Sequence, residues 1–172
     1  PPRRRRQRQM CIRDSNNVVT SAMVMSAAIL VGLSRKILDL ATAYTLDRKQ
    51  FGKPIGSFQA VKHMLAQAAI EIEFSKATLY RAAYSLDNEN PLQKLHAAQA
   101  KLQAIDACEM VSRNSMQAHG AMGYTWEMDL HIFIRRGWSY KQVWGNKSLL
   151  ENYIMNQLEK DLPKLGSTYT FL

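Results

Sequence analysis

Cysteine is nearly absent from this chain: Cys11 and Cys108 are the two in 172 residues. A disulfide framework is therefore excluded, and a reducing, cytoplasmic setting is expected. Histidine is sparse and dispersed, at His63, His96, His119 and His131. No His-x-x-x-His or Cys-x-x-Cys pair occurs, which removes the usual metal constellations. A glycine loop of the nucleotide-triphosphate type is missing, and there is no internal repeat. Long apolar runs are missing too. The longest, Val18 to Leu33, is broken by Thr20, Ser21 and Ser26 and falls short of the ~20 apolar residues of a membrane span. Arg35 and Lys36 follow it where a signal peptide would place small residues for cleavage. Neither a membrane nor secretion is expected.

Acidic residues are outnumbered, 14 against 23 basic, for a formal charge of +9. Most of that excess is local. Residues 1–15 hold Arg3, Arg4, Arg5, Arg6, Arg8 and Arg13 against the single acid Asp14, leaving +4 for the rest. This segment carries no aromatic to stack on bases, and no basic stripe continues it into the body. A nucleic-acid partner is not expected. Residues 1–15 read instead as a solvated tail or as sequence foreign to the domain.

What the chain does have is helical periodicity. A hydrophobic content of 47% over this length supports one domain with a sizeable core. The pattern predicts five helices and no strands: about Asn17 to Tyr44 or Thr45, Phe58 to Leu86, Leu92 to His119, Thr125 to Val143, and Lys147 to Leu162. In the second, Val61, Met64, Leu65, Ala68, Ile72 and Leu79 share a stripe. The third is studded with Ala97, Ala98, Ala100, Ala104 and Ala107, which permits close approach of a neighbour. Gly120 suits a left-handed residue past its end. Thr125 reads as the cap of the fourth helix, with Glu127 and Asp129 in its first turn. Gly145 breaks that helix and Pro163 stops the fifth. The fold class predicted is all-α, an up-and-down antiparallel bundle over 16–162, with 163–172 a tail.

Two motifs stand out. Asp47-Arg48-Lys49-Gln50-Phe51-Gly52-Lys53-Pro54-Ile55-Gly56-Ser57-Phe58-Gln59 sits between the first two helices. Gln117-Ala118-His119-Gly120-Ala121-Met122-Gly123-Tyr124 ends the third. Taken alone, Arg48 could serve a helix dipole, Phe51 the core, His119 a structural role, and the glycines their turns. In this order and separation, however, the motifs resemble the C-terminal helical domain of the acyl-CoA dehydrogenases. The resemblance covers roughly residues 17 to 160. It implies a longer parent protein, with a helical and a β domain ahead of this one.

The resemblance further implies FAD as cofactor, held across a subunit interface. Arg48 would meet its diphosphate, a pairing that suits a guanidinium, with Phe51 near the adenosine. Gln50, Gln59, Gln117, His119, Gly120 and Ala121 would belong to the same contact surface. The implied substrate is an acyl-CoA thioester, the implied acceptor an electron-transferring flavoprotein or similar, and the implied assembly a homo- or hetero-oligomer.

The chain departs from the family where a carboxylate should remove the substrate's α-proton. One family position falls on Trp144, within Val143-Trp144-Gly145-Asn146; the other falls on Ala22, beside Met23. Neither side chain can take a proton. Two versions follow, a dehydrogenase with a base elsewhere and a base-less subunit paired with a catalytic one. The alternative class is a helical interaction module without cofactor.

Overall fold

The computed structural model describes residues 2–160, with side-chain surroundings from 15 to 159. The helices are α1 (Pro2–Asp47), α2 (Gln59–Asp87), α3 (Gln93–His119), α4 (Leu130–Tyr140) and α5 (Lys147–Lys160). The all-α bundle is as expected. α1 begins well before Asn17, since nothing between Pro2 and Asn17 breaks a helix and Pro is tolerated in a first turn. By length and composition the 15–47 part of α1 is long and apolar enough to cross a membrane. That corrects the shorter run read from the sequence. Thr20, Ser26 and Ser34 do not interrupt the run, because each hydroxyl bonds back to a carbonyl of its own helix. In the bundle the stretch is a packed helix, with Met23, Ala27, Leu30, Ile37 and Ala41 buried.

α3 is the centre. It packs against α1, α2 and α5, and the five alanines at 97, 98, 100, 104 and 107 are all at 0% exposure. Small side chains let helix backbones close in on several sides at once, at little cost in side-chain entropy. α4 lies on α1 and reaches α3, approaching closely at Gly137. A Cβ there would stand 2.8 Å from the Cys108 sulfur. The apolar core joins these helices through Leu30, Ile37, Ile72, Ile105, Val111 and Leu130.

Two further expectations change. Where no strand was expected, a minimal hairpin follows α1: β1 (Lys49–Gln50) pairs antiparallel with β2 (Lys53–Pro54), Lys49 opposite Pro54 and Gln50 opposite Lys53. Its turn is Phe51-Gly52, with φ of 54° and 79°. Positive φ at both central residues is what a tight two-residue hairpin needs. α4 also starts at Leu130, not at Thr125. The Thr125 hydroxyl donates to Met122 O at 2.8 Å, closing the short 3-10 segment Gly120–Tyr124. It is therefore not a helix cap, and Glu127 and Asp129 precede the helix.

Candidate functional site

The first and third helices run parallel in an up-and-down order, so their C-terminal ends meet. The contact is explicit: the rings of Tyr44 on α1 and His119 on α3 stack with centroids 4.3 Å apart and planes 18° from parallel. Around this stack lies an open cleft of about 270 Å3, lined by Tyr44, Arg48, Gln50, Gln117, His119 and Gly120 among others. Ala121 also lines it.

Each member has a local cause for its place. The Arg48 amide donates to Tyr44 O at 2.9 Å, and its carbonyl accepts from the Ile55 amide at 2.8 Å. The hairpin is thus folded back on the end of α1. Gly56 makes the fold-back possible, because a Cβ there would meet Thr45 O at 3.0 Å. Arg48 itself is exposed and takes part in no ion pair among the described residues. Gly120 has φ 59° and ψ −138°. The sign of φ is as expected, but ψ lies outside the left-handed helical well, in a region kept almost wholly for glycine.

His119 is 3% exposed. Its Nδ1 lies 2.7 Å from Ser115 O; a carbonyl only accepts, so Nδ1 carries the proton and donates. The other ring nitrogen, Nε2, is buried with no hydrogen-bond partner among the described residues. Such a group is costly unless something supplies a donor.

Two expected members stand apart. Phe51 does not line the cleft; it sits at the hairpin tip, 91% exposed, edge-on to Phe58 at 6.1 Å. Gln59 opens α2, exposed and outside the cleft. Tyr44, Ile55, Ala118 and Met122 also line the cleft and were missed, although the last three lie inside the two motifs.

The second region of interest is the stretch after α4. Trp144 is exposed with φ 61°, and Gly145 follows at φ 115°. Beneath it lies Lys101, at 0% exposure. Its ammonium donates to Ser26 Oγ at 2.7 Å, Tyr140 O at 2.7 Å and Val143 O at 2.9 Å. Burial draws its pKa down from 10.5 to about 8. Sequence reasoning passed over it, yet a lysine in register with Ala97, Ala104 and Cys108 on a buried alanine face was a signal.

The fold is a bundle of long helices with an open cleft at the end where α1 and α3 meet. Comparison with known proteins gives its family. Residues 17–159 match the family model of the acyl-CoA dehydrogenase C-terminal domain, and the chain belongs to that family. An acyl-CoA dehydrogenase of Mycobacterium tuberculosis, IpdE2, is 31% identical over 147 residues, 84% of this chain and 42% of that protein. The glutaryl-CoA dehydrogenase of Desulfococcus multivorans is 36% identical over 129 residues, 75% of this chain and 33% of that protein. A glutaryl-CoA dehydrogenase solved as its glutaryl-CoA complex superposes with a TM-score of 0.77 at 31% identity, covering 87% of this chain and 38% of that one. The chain thus spans less than half the length of these relatives.

Proposed function

We propose that the chain is the C-terminal part of an FAD-dependent acyl-CoA dehydrogenase, and that the α1–α3 cleft holds part of FAD across a subunit interface. The convergence of Arg48, Gln50, Gln117, His119, Gly120 and Ala121 on one cleft carries this reading. The residues fit a dinucleotide diphosphate. Arg48 offers a guanidinium with no ion pair among the described residues, and Gly120 and Ala121 allow close backbone approach; the buried His119 Nε2, without a partner among the described residues, would as an acceptor take an N–H or O–H of the cofactor and not the diphosphate. Phe51 extends the surface from the hairpin tip, and Gln59 from the start of α2. FAD, when bound, supplies the hydride acceptor for α,β-dehydrogenation of an acyl-CoA thioester. An electron-transferring flavoprotein or similar acceptor would then take the electrons.

Proton removal is a separate task, and this chain's two family positions for it hold an indole and a methyl, at Trp144 and Ala22. Neither has a basic atom. A homo-oligomer of the parent is therefore expected to turn over acyl-CoA poorly, because general base catalysis contributes ~10²–10⁴-fold. A partner subunit carrying the missing Glu would restore it.

The test is flavin retention by the full-length parent. Arg48→Ala should weaken it about tenfold or more, the loss of one charge-assisted contact. Unchanged occupancy and affinity would remove Arg48 from the site. A colourless parent with no flavin absorption band would favour the interaction-module reading instead.

A further inference from the structure

Lys101 is an unusual buried lysine. It is wholly enclosed, and it belongs to none of the ion pairs among the described residues. Burying a cation without an anion is costly unless every donor is used, and here every donor is. An ammonium has three N–H groups, and three acceptors stand within bonding distance: Ser26 Oγ, Tyr140 O and Val143 O. The Ser26 hydroxyl proton is already committed to Met23 O at 2.9 Å. Its oxygen therefore presents a lone pair to Lys101.

The three acceptors are not a random set. Tyr140 is the last residue of α4, and Lys101 takes its carbonyl where the helix stops, short of the Val143 end expected from sequence. Val143 immediately precedes Trp144. Ser26 lies on α1 four residues after Ala22, one turn along the same face. The two positions at which family branches carry their base are thus tied to one side chain, each through a near neighbour.

We infer that Lys101 is the positioning residue of the 140–146 segment, fixing how position 144 stands against the Ser26 turn of α1. Trp144 and Gly145, both at positive φ, follow directly from the held carbonyl of Val143. The chain turns sharply there and enters α5 with Leu150 packed on Gly145. The functional weight of position 144 rests on the family reading above; the clasp itself does not. Its consequence is a segment whose shape is set by α3 rather than by the residue at 144. Replacement of the base by Trp can then leave the frame of the site intact.

The full-length parent, as purified, is compared with Lys101→Met and Ser26→Ala by hydrogen exchange read by mass spectrometry. Lys101→Met keeps an unbranched stem and removes the donors. Peptides covering 141–146 should exchange about tenfold or more faster in Lys101→Met, while those covering 105–118 keep native rates. Ser26→Ala should move the same peptides in the same direction by less, since two acceptors remain. A lysine that merely filled space would speed both regions together. A uniform rise, or unchanged 141–146 exchange in both variants, overturns the proposal. If Lys101→Met does not fold, Ser26→Ala decides by the same criterion. Flavin occupancy is recorded alongside. A parent without flavin defeats the cofactor reading yet leaves the exchange comparison intact, so the two failures are told apart.

Discussion

His96 and His119 lie on the same helix, near its two ends, and both are 3% exposed. Each is fixed as the same tautomer. At His96 the Arg81 guanidinium, which can only donate, lies 2.9 Å from Nε2, so Nδ1 holds the proton and faces Ser85 Oγ at 2.5 Å. At His119, Nδ1 likewise donates, to Ser115 O. The difference is the remaining lone pair. The Nε2 of His96 is engaged by Arg81, whereas that of His119 has no partner among the described residues. Buried atoms left over also occur elsewhere among the described residues, Arg81 Nε beside His96 included, but that of His119 belongs to a residue lining the cleft. The contrast separates the end of α3 that is tied to α2 through His96 from the end that lines the cleft.

The largest effect should come from acid. Burial, with the Arg81 charge second, lowers the His96 pKa from 6.5 to about 4. The folded state holds the neutral ring, so this group's contribution is complete above about pH 6.5 and is lost as pH falls toward 4. By linkage the loss is on the order of 3 kcal/mol. Urea unfolding measured across that window should show the slope, and His96→Gln should flatten it; an unaltered slope assigns the acid sensitivity elsewhere. Next in size, Arg81→Met would give His96 the orphaned lone pair that His119 has. It should cost about 1–3 kcal/mol and raise the His96 pKa of the folded state toward 6.5, as the repelling charge is gone, so that the loss of stability with falling pH becomes smaller and ends at a higher pH. A pH dependence as steep as that of the unaltered protein would mean that Arg81 does not act on His96. Smallest on stability is His119→Phe, which keeps a ring on Tyr44 and should change the melting free energy by about 1 kcal/mol or less. Flavin retention should nevertheless fall about fivefold or more. Equal retention would break the contrast between the two histidines.

The bundle was legible because long periodic stripes leave few alternatives, and parallel first and third helices bring the two motifs to one end. The residues of the cleft were legible as motifs, while its shape was not. Phe51 at positive φ has no propensity signal, since the hairpin it turns is set by Gly52 beside it and by the fold-back onto Thr45. Thr125 looked like a cap because a hydroxyl before acids usually is one; here a nearer carbonyl, that of Met122, took its proton. The end of α4 was misplaced for a non-local reason. Lys101, about forty positions earlier, removes the Tyr140 carbonyl from the helix ladder, and no local window contains both residues. His119, which taken alone could have been structural, lines the cleft, buried and stacked on Tyr44.

The tight approach of α4 to α3 at Gly137 has a use as a clock. Cys108 sits behind that glycine, 4% exposed, and burial pushes its thiol pKa above the ordinary value. The nucleophilic thiolate is therefore scarce and shielded as long as the two helices stay together. With Cys11 replaced by Ser, the alkylation rate of the remaining sulfur would time how often α4 lifts from the bundle. One glycine thus turns an otherwise silent atom into a built-in reporter of breathing motions, readable without any added probe.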